Sequence, residues 1–269
     1  MAREAGRRLF GADVDAYERG RPGHPPRVYE LLVQRCGLVP GTRVLEIGPG
    51  TGQATRRLLE LGADVLAVEP DERLVAHLPS AVGAVAVLNQ PLEEVVLAAE
   101  DFDLAVAASS FHWVDEEVGL GKLAAALRRD GWIALWWSHS GAEEPLSPFQ
   151  QALRPVVDEI FAARGIELEE SPAVSPVGGP RFGLDVEGRL TALAHAGFGH
   201  IEHELITWSH TWDAAGIRAL FASFSPIIRL DEETRLAALD AVEQLAERDF
   251  GGRVELPVLT SLYTAQRPA

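Results

Sequence analysis

The sequence predicts a doubly wound α/β fold built on a mostly parallel sheet, and three observations predict it. Val44-Leu45-Glu46-Ile47 is an apolar strand carrying one acid, and Gly48-Pro49-Gly50-Thr51-Gly52 then turns into a helix beginning near Gln53. A second apolar run at 64–68 ends at Glu69-Pro70, about twenty positions past the glycines, where an acid at a strand end can accept hydrogen bonds from two ribose hydroxyls. Further apolar runs at 85–88, 102–108 and 131–137 read as the third, fourth and fifth strands.

The glycine turn is the first element to justify. Alternate glycines let the backbone bend tightly and let a ligand approach the main chain without meeting a Cβ. The helix that follows offers unpaired N–H groups and the positive end of its dipole. Three ligand signatures compete for such a turn. A phosphate-binding P-loop requires Gly-Lys-Ser/Thr, and this loop ends Gly52-Gln53-Ala54-Thr55. A dinucleotide fingerprint requires G-x-G-x-x-G, but the third glycine comes one residue early and Gln53 stands in its place. Glu69 does not separate a dinucleotide from the third reading, whereas the glycine spacing together with Glu46 does.

That third reading is a resemblance. Glu46 with Gly48, Gly50 and Gly52 resembles motif I of the class I S-adenosylmethionine-dependent methyltransferases. Asp103-Leu104, small apolar residues and then Ser109-Ser110-Phe111-His112-Trp113, a Ser-x-x-His-Trp pattern, resemble the trans-aconitate-type and related small-molecule members. Leu127-Arg128-Arg129-Asp130 before Gly131–Trp137 resembles the helix-turn-strand that ends the core in that family. The resemblance is strong over 42–138 and weak on both flanks. It implies a Rossmann-like seven-stranded sheet with an antiparallel last strand and a helical cap. It also implies S-adenosyl-L-methionine as cofactor. The cofactor residues it implies are Glu46, Gly48, Gly50, Gly52, Glu69 and Pro70, with Asn89 and Gln90 after the third strand contacting adenine. Asn89 and Gln90 also suit the opening of a turn before a proline-initiated helix. Ser109 follows the fourth strand, whose end faces the methyl group in that fold.

On the N-terminal flank, Tyr17, Arg21 and Pro22 match a Tyr-x-x-x-Arg-Pro-x-Tyr-Pro segment that closes over the cofactor in relatives, with His24 replacing the second tyrosine. Arg21 is then expected to pair with the ligand's carboxylate; the alternative is a solvated arginine in a proline-rich connector. After the core, a helix is expected around 149–164, then an irregular stretch with Pro172, Pro176 and Gly178-Gly179-Pro180. A helix at 185–196 stopped by Gly197 follows. A strand at 201–212 places Trp208, His210 and Trp212 on one face. Helices near 214–221 and 231–249, the latter capped by Asp231, and a closing strand at 253–265 complete the chain. The resulting division is one methyltransferase domain over 1–269: N-terminal lid helices 1–41, cofactor-binding core 42–138, cap insertion 139–184, and a C-terminal part 185–269 with a helical insertion at 213–252.

Composition narrows the function. A formal charge of −16 over 269 residues disfavours binding a polyanion, which needs clustered Lys and Arg. Ser109-Ser110-Phe111 also lacks the Asn/Asp-Pro-Pro-aromatic motif of enzymes that methylate exocyclic base amines. A single cysteine, Cys36, suits a reducing cytosol. No apolar run approaches transmembrane length, and residues 1–11 lack a signal-peptide core. The expected protein is cytoplasmic, acts on a small molecule without nucleic acid or membrane partners, and is either a monomer or a homodimer.

Methyl transfer from a sulfonium is an in-line displacement that needs positioning, water exclusion and, for a hydroxyl or acidic carbon, a base. His112 is the expected base, although it also suits a loop-packing role in Phe111-His112-Trp113; His139 is a second candidate. Trp136 and Trp137 point to opposite sides of one strand, so one is expected against helices and the other beside an apolar substrate. His195, His200 and His203 lack metal-ligand spacing and are expected in solvent. The expected activity is methyl transfer to an O, N or C atom of a carboxylic acid or natural product. The alternative is a protein of this fold doing cyclisation or rearrangement, or serving as a regulatory binding module. A nicotinamide-dependent oxidoreductase is disfavoured by the glycine spacing.

Overall fold

The structure, a computed structural model, describes residues 18–141, 145–165, 182–228 and 230–269. Tyr17, and residues 142–144 and 166–181 of the expected cap, lie outside the described residues. In chain order the elements are α1 (Pro26–Cys36), β1 (Arg43–Ile47), α2 (Gln53–Glu60), β2 (Asp64–Val68), α3 (Glu72–Val82), β3 (Ala86–Leu88), β4 (Phe102–Ala108), α4 (Glu116–Ala126) and β5 (Leu127–Ser140). Then follow α5 (Pro148–Ala162), α6 (Val186–His195), β6 (Gly199–Asp213), α7 (Ala214–Ala222), α8 (Ser225–Ile228), α9 (Glu232–Phe250) and β7 (Arg253–Gln266).

The strands form one seven-stranded sheet in the order β3-β2-β1-β4-β5-β7-β6. β1 pairs in parallel with β2 and β4, and β4 in parallel with β5. β7 runs antiparallel between β5 and β6. The chain reverses direction outward from β1, so the carboxyl ends of β1 and β4 flank a crevice, the site where such sheets bind ligands.

Period-2 alternation sorts the strand residues between two helical layers. Leu45, Ile47, Ala105, Ile133, Leu135 and Trp137 face Leu120 and Leu123 of α4 and Leu193 of α6. Val44, Leu104, Val106, Ala134 and Trp136 face Val28, Leu31 and Leu32 of α1 and Leu58 of α2. A third core joins α5, α7 and α9 to the outer ends of β6 and β7, through Phe149, Leu153, Ile217, Leu220 and Val242. Full burial of such a side chain contributes about 1.5–3 kcal/mol.

Part of the acidic excess serves the helices. Asp115, Asp185, Asp213 and Asp231 each accept the N–H three residues on, and Asp71 accepts that of Arg73. Each side chain satisfies one of the orphan donors at a helix start.

Two expectations are corrected. Residues 127–130 do not form a helix-turn: α4 ends at Ala126 and β5 begins directly at Leu127. Leu127 pairs with Phe102, the register slips before Trp132, and Asp130 takes φ 62° in the irregular stretch between them. Main-chain bonds across the sheet, from the Asp130 N–H to the Arg267 carbonyl and from the Arg267 N–H to the Gly131 carbonyl, hold this stretch, and local periodicity does not report them. After Gln90 there is a turn at residues 92–94 rather than a helix. Among the described residues no helix is long and apolar enough to cross a membrane.

Candidate active site

A cavity of about 310 Å³ opens at the carboxyl ends of β1, β2, β4 and β5, lined by Ile47, Val68, Ala108 and residues 137–140. Its floor is the glycine turn. Gly48 has φ 66° and Gly50 φ 58°, a region that L side chains rarely adopt. A Cβ on Gly48 would lie 2.6 Å from Cβ of Ser110, whose hydroxyl donates to the Ile47 carbonyl. A Cβ on Gly50 would meet nothing within 4 Å, so the main chain there is open to the cavity. Gly52 does not line the cavity. It is the N-cap of α2 at φ 86°, and a Cβ would lie 2.5 Å from Cγ1 of Val82. Its place is the contact between α2 and α3.

Glu69 stands at the end of β2, lines the cavity and is 4% exposed. One carboxylate oxygen accepts the Gly50 N–H at 3.3 Å and the other the Asp71 N–H at 3.0 Å. Burial lifts its pKa to about 7, the two N–H donors pull it back, and the Asp71 charge adds to the rise. The wall continues through Pro70, Leu74, Pro91, Leu92 and Glu93.

Asn89 and Gln90 are exposed and absent from this wall. The Asn89 amide instead donates to the Glu69 carbonyl at 2.8 Å, tying the ends of β2 and β3. The three residues after them, Pro91, Leu92 and Glu93, line the cavity. That turn is held by Lys122, the chain's single lysine, whose Nζ donates to the carbonyls of Leu92, Glu93 and Val95 at 3.0, 2.5 and 2.8 Å.

Glu46 is also absent from the wall. Alternation along β1 turns it toward the layer of α1 and α2, where it is fully buried. Neither carboxylate oxygen closes a hydrogen bond among the described residues. Burial lifts its pKa to about 7, the nearby Thr55 hydroxyl draws it down, and the Glu69 charge raises it further.

The far wall comes from side chains of distant segments. Arg21 and His24 arrive from before α1, and Ser223 and Phe224 from the end of α7. Arg21 Nε donates to Ser223 Oγ at 2.9 Å, and its guanidinium lies 5.2 Å from the Phe224 ring centroid. Gln53 Nε2 donates to the Arg21 carbonyl at 2.7 Å, and Trp212 Nε1 to the Gly20 carbonyl at 2.8 Å. The connector is thus pinned between α2 and β6. His24 stacks edge-on against Trp136 at 5.4 Å, and burial lowers its pKa to about 4. Ser109, at φ 56°, and His139 complete the lining beside His112 and Trp113.

Trp136 and Trp137 part as expected. Trp136 is buried in the helical layer of α1, while Trp137 lines the cavity. Trp137 Nε1 donates to His112 Nδ1 at 3.1 Å. Burial, with a smaller push from the Arg21 charge, lowers the His112 pKa to about 4. With Nδ1 accepting the indole N–H, the ring is left with Nε2 to turn to the cavity. His195 and His200 are exposed, but His203 packs on Tyr263 at 4.6 Å and bonds Ser261 at 2.8 Å, so it is not solvated. Among the described residues no group of three His, Cys, Asp or Glu could hold a metal ion.

The site contains residues that sequence reasoning did not reach: Gln53, Leu74, Leu92, Ser223 and Phe224. Gln53 had a signal, since it opens the helix after the glycines. Ser223 and Phe224 had none, because only the fold brings them to the turn.

Comparison with known proteins agrees with the architecture. A family model described as a methyltransferase domain matches residues 45–135. An uncharacterized methyltransferase of Mycobacterium tuberculosis is 37% identical over 129 residues, covering 48% of this chain and 51% of that protein. The chain thus spans about half the length of that curated relative. An uncharacterized methyltransferase of Schizosaccharomyces pombe is 25% identical over 97% of each chain. The Haemonchus contortus phosphoethanolamine N-methyltransferase 2, solved in complex with S-adenosyl-L-methionine, superposes with a TM-score of 0.58 at 15% identity, over 100% of this chain and 60% of that one. The cyclase SpnF superposes with a TM-score of 0.57 at 16% identity, over 100% of this chain and 97% of that one. The strand order and the glycine turn are those of the class I methyltransferase fold, and the methyltransferase-domain model matches residues 45–135 within it.

Proposed function

We propose that the cavity binds S-adenosyl-L-methionine and that the protein methylates an O, N or C atom of a small molecule, a carboxylic acid or a natural product. The observation that carries this reading is Glu69: a buried carboxylate at the end of β2, oriented by the Gly50 and Asp71 N–H groups and facing the cavity. Two oxygens so fixed suit a ribose diol. The open main chain at Gly50 fits a ligand laid against the turn. The complex of the Haemonchus enzyme with this cofactor, in the same fold, supports the assignment.

In this reading Gly48, Gly50 and the start of α2 face the ligand's amino acid end, and Arg21 pairs with its carboxylate in a charge-assisted bond. Tyr17 is proposed to join Arg21 from the segment before it. Pro70, Leu74 and Leu92 enclose the adenine, and Ser109 borders the reacting centre. Glu46 acts from behind the turn, and Gly52 through packing. When bound, the cofactor supplies an electrophilic methyl group on a sulfonium. Residues 1–41, the cap 139–184 and the C-terminal part 185–269 then choose the acceptor around the 42–138 core, in a cytoplasmic protein.

The test is calorimetric titration with S-adenosylmethionine, S-adenosylhomocysteine and NAD in parallel, followed by methyl-labelled cofactor with a panel of small acids, phenols and amines. Binding of both adenosyl ligands but not NAD, with label on an acceptor, is the expected result. Absence of adenosyl-ligand binding overturns the reading. A cofactor that stays bound and unconverted through substrate turnover moves the protein toward cyclisation chemistry, which the fold shared with SpnF allows.

A further inference from the structure

His112 and Trp137 form a pair whose chemistry the site description leaves unused. Trp137 is 3% exposed, and its indole N–H is a donor only, so burial demands an acceptor. His112 Nδ1, at 3.1 Å, is that acceptor. Rotating the imidazole by a half-turn would put a carbon against the indole N–H and orphan it. The bond therefore settles both the ring's orientation and its tautomer. With Nδ1 unprotonated, the proton of the neutral ring sits on Nε2. Trp113 at 4.7 Å and Phe182 at 6.3 Å pack beside the ring, tilted against it by 44° and 47°. Nε2 has no hydrogen-bond partner among the described residues and is not sealed from solvent, while the residue lines the cavity.

We propose that His112 works as a neutral hydrogen-bond donor, presenting Nε2–H to the methyl acceptor beside the cofactor, and that Trp137 is the positioning residue that fixes this tautomer. His112 then orients an acceptor through a lone pair and does not take its proton. The substrate class this favours is an apolar or aromatic molecule carrying a hydrogen-bond-accepting oxygen next to the methylated atom. Arg21, His24, Glu69, Glu93 and His139 are the other titratable groups on the cavity wall, and Arg21's charge opposes protonation of His112. The identity of the acceptor rests on the methyltransferase reading; the tautomer does not.

The experiment uses the ligand-free full-length protein labelled with ¹⁵N-histidine, with long-range ¹H–¹⁵N spectra recorded from pH 5.5 to 8 and the His112 signals assigned by His112→Gln. The expected result is one unprotonated nitrogen at Nδ1 and one protonated at Nε2 throughout, with both tautomers present in Trp137→Phe. An Nδ1–H ring, or an imidazolium at pH 7, overturns the proposal whether or not Trp137→Phe folds. On an acceptor identified with labelled cofactor, His112→Gln, which keeps a donor at the same reach, lowers kcat by about tenfold. His112→Phe lowers it about a hundredfold, and wild-type kcat/KM shows no inflection near pH 6.5 from this histidine. Equal loss in both variants, with adenosyl-ligand binding intact, refutes the donor role. Loss of cofactor binding in the wild type refutes the methyltransferase reading and leaves the tautomer result standing.

Discussion

On the side of β1 and β2 the cavity is built from main chain: the Gly48–Gly52 turn, the start of α2, and a carboxylate held by two N–H groups. On the side of β4 and β5 it is built from side chains gathered from segments as far apart as Arg21 and Ser223. The first wall is contiguous in sequence and leaves little freedom for substitution. The second is a composite whose members each have alternatives. The difference teaches that one pocket can be assembled from two materials, a rigid backbone cradle on one side and exchangeable side chains on the other.

The largest effect is expected at Gly48. A valine there would have to accept φ 66° and place Cβ 2.6 Å from Ser110, so Gly48→Val should destabilise the fold by about 2–4 kcal/mol and abolish adenosylhomocysteine binding. Thermal unfolding and calorimetry check this, and unchanged affinity would break the picture of a backbone cradle.

Next comes Glu69→Gln, expected to weaken adenosyl ligands by about 30–100-fold through loss of charged acceptance from the ribose. Because the free Glu69 titrates near pH 7, wild-type affinity should rise with pH through that range, and binding should release a proton where the free carboxyl is protonated. Calorimetry in buffers of differing ionisation enthalpy measures that proton.

The same shifts shape stability. Glu46 and Glu69, raised to about 7, bind protons more tightly folded than unfolded, so their contribution is complete below about pH 4.5 and is lost as pH rises to 7. His24 and His112, lowered to about 4, act oppositely: the unfolded chain binds their protons first, so stability is lost as pH falls from about 6.5 to 4. Between about pH 4.5 and 6.5 the two pairs oppose each other, and this part of the pH dependence should be nearly flat. Glu69→Gln should tilt it upward with pH, by up to about 1.4 kcal/mol per unit. A curve whose slope the variant leaves unchanged would show that Glu69 is not the group titrating there.

Lys122→Met is expected to loosen the 92–95 turn, costing about 1–3 kcal/mol in stability and weakening adenosyl ligands several-fold. The smallest effect belongs to the composite wall. Ser223→Ala removes one partner of Arg21 and should change cofactor affinity by less than about threefold. A larger change there than at Lys122 would reverse the ranking of the two walls.

The cradle was legible because its signals are local. Glycines with positive φ, a strand-end acid and the spacing between them lie within residues 44–70. The strands 64–68 and 102–108 were read at the bounds the structure shows, and the five elements expected after residue 184 lie within two residues of theirs, while the short α8 was not read. Glu46 was misplaced because alternation along β1 decides which layer an acid enters, and the motif carries no sign of that. Asn89 and Gln90 were read by position along the fold, yet the wall begins one residue later, where Lys122 holds carbonyls from a separate helix.

By itself the sequence determined the strand–turn–helix cradle, the alternation that sends Trp136 and Trp137 to opposite faces, and the Asp231 cap that opens α9, because each depends on residues within a turn or a strand of one another. Only the tertiary structure decided that β5 begins at Leu127, that Arg21 meets Ser223 and Phe224, and that Trp137 hands His112 an N–H and so sets where its proton sits. Those outcomes depend on which groups burial forces together and on each buried donor's need for an acceptor, and neither is a property of any local stretch of chain.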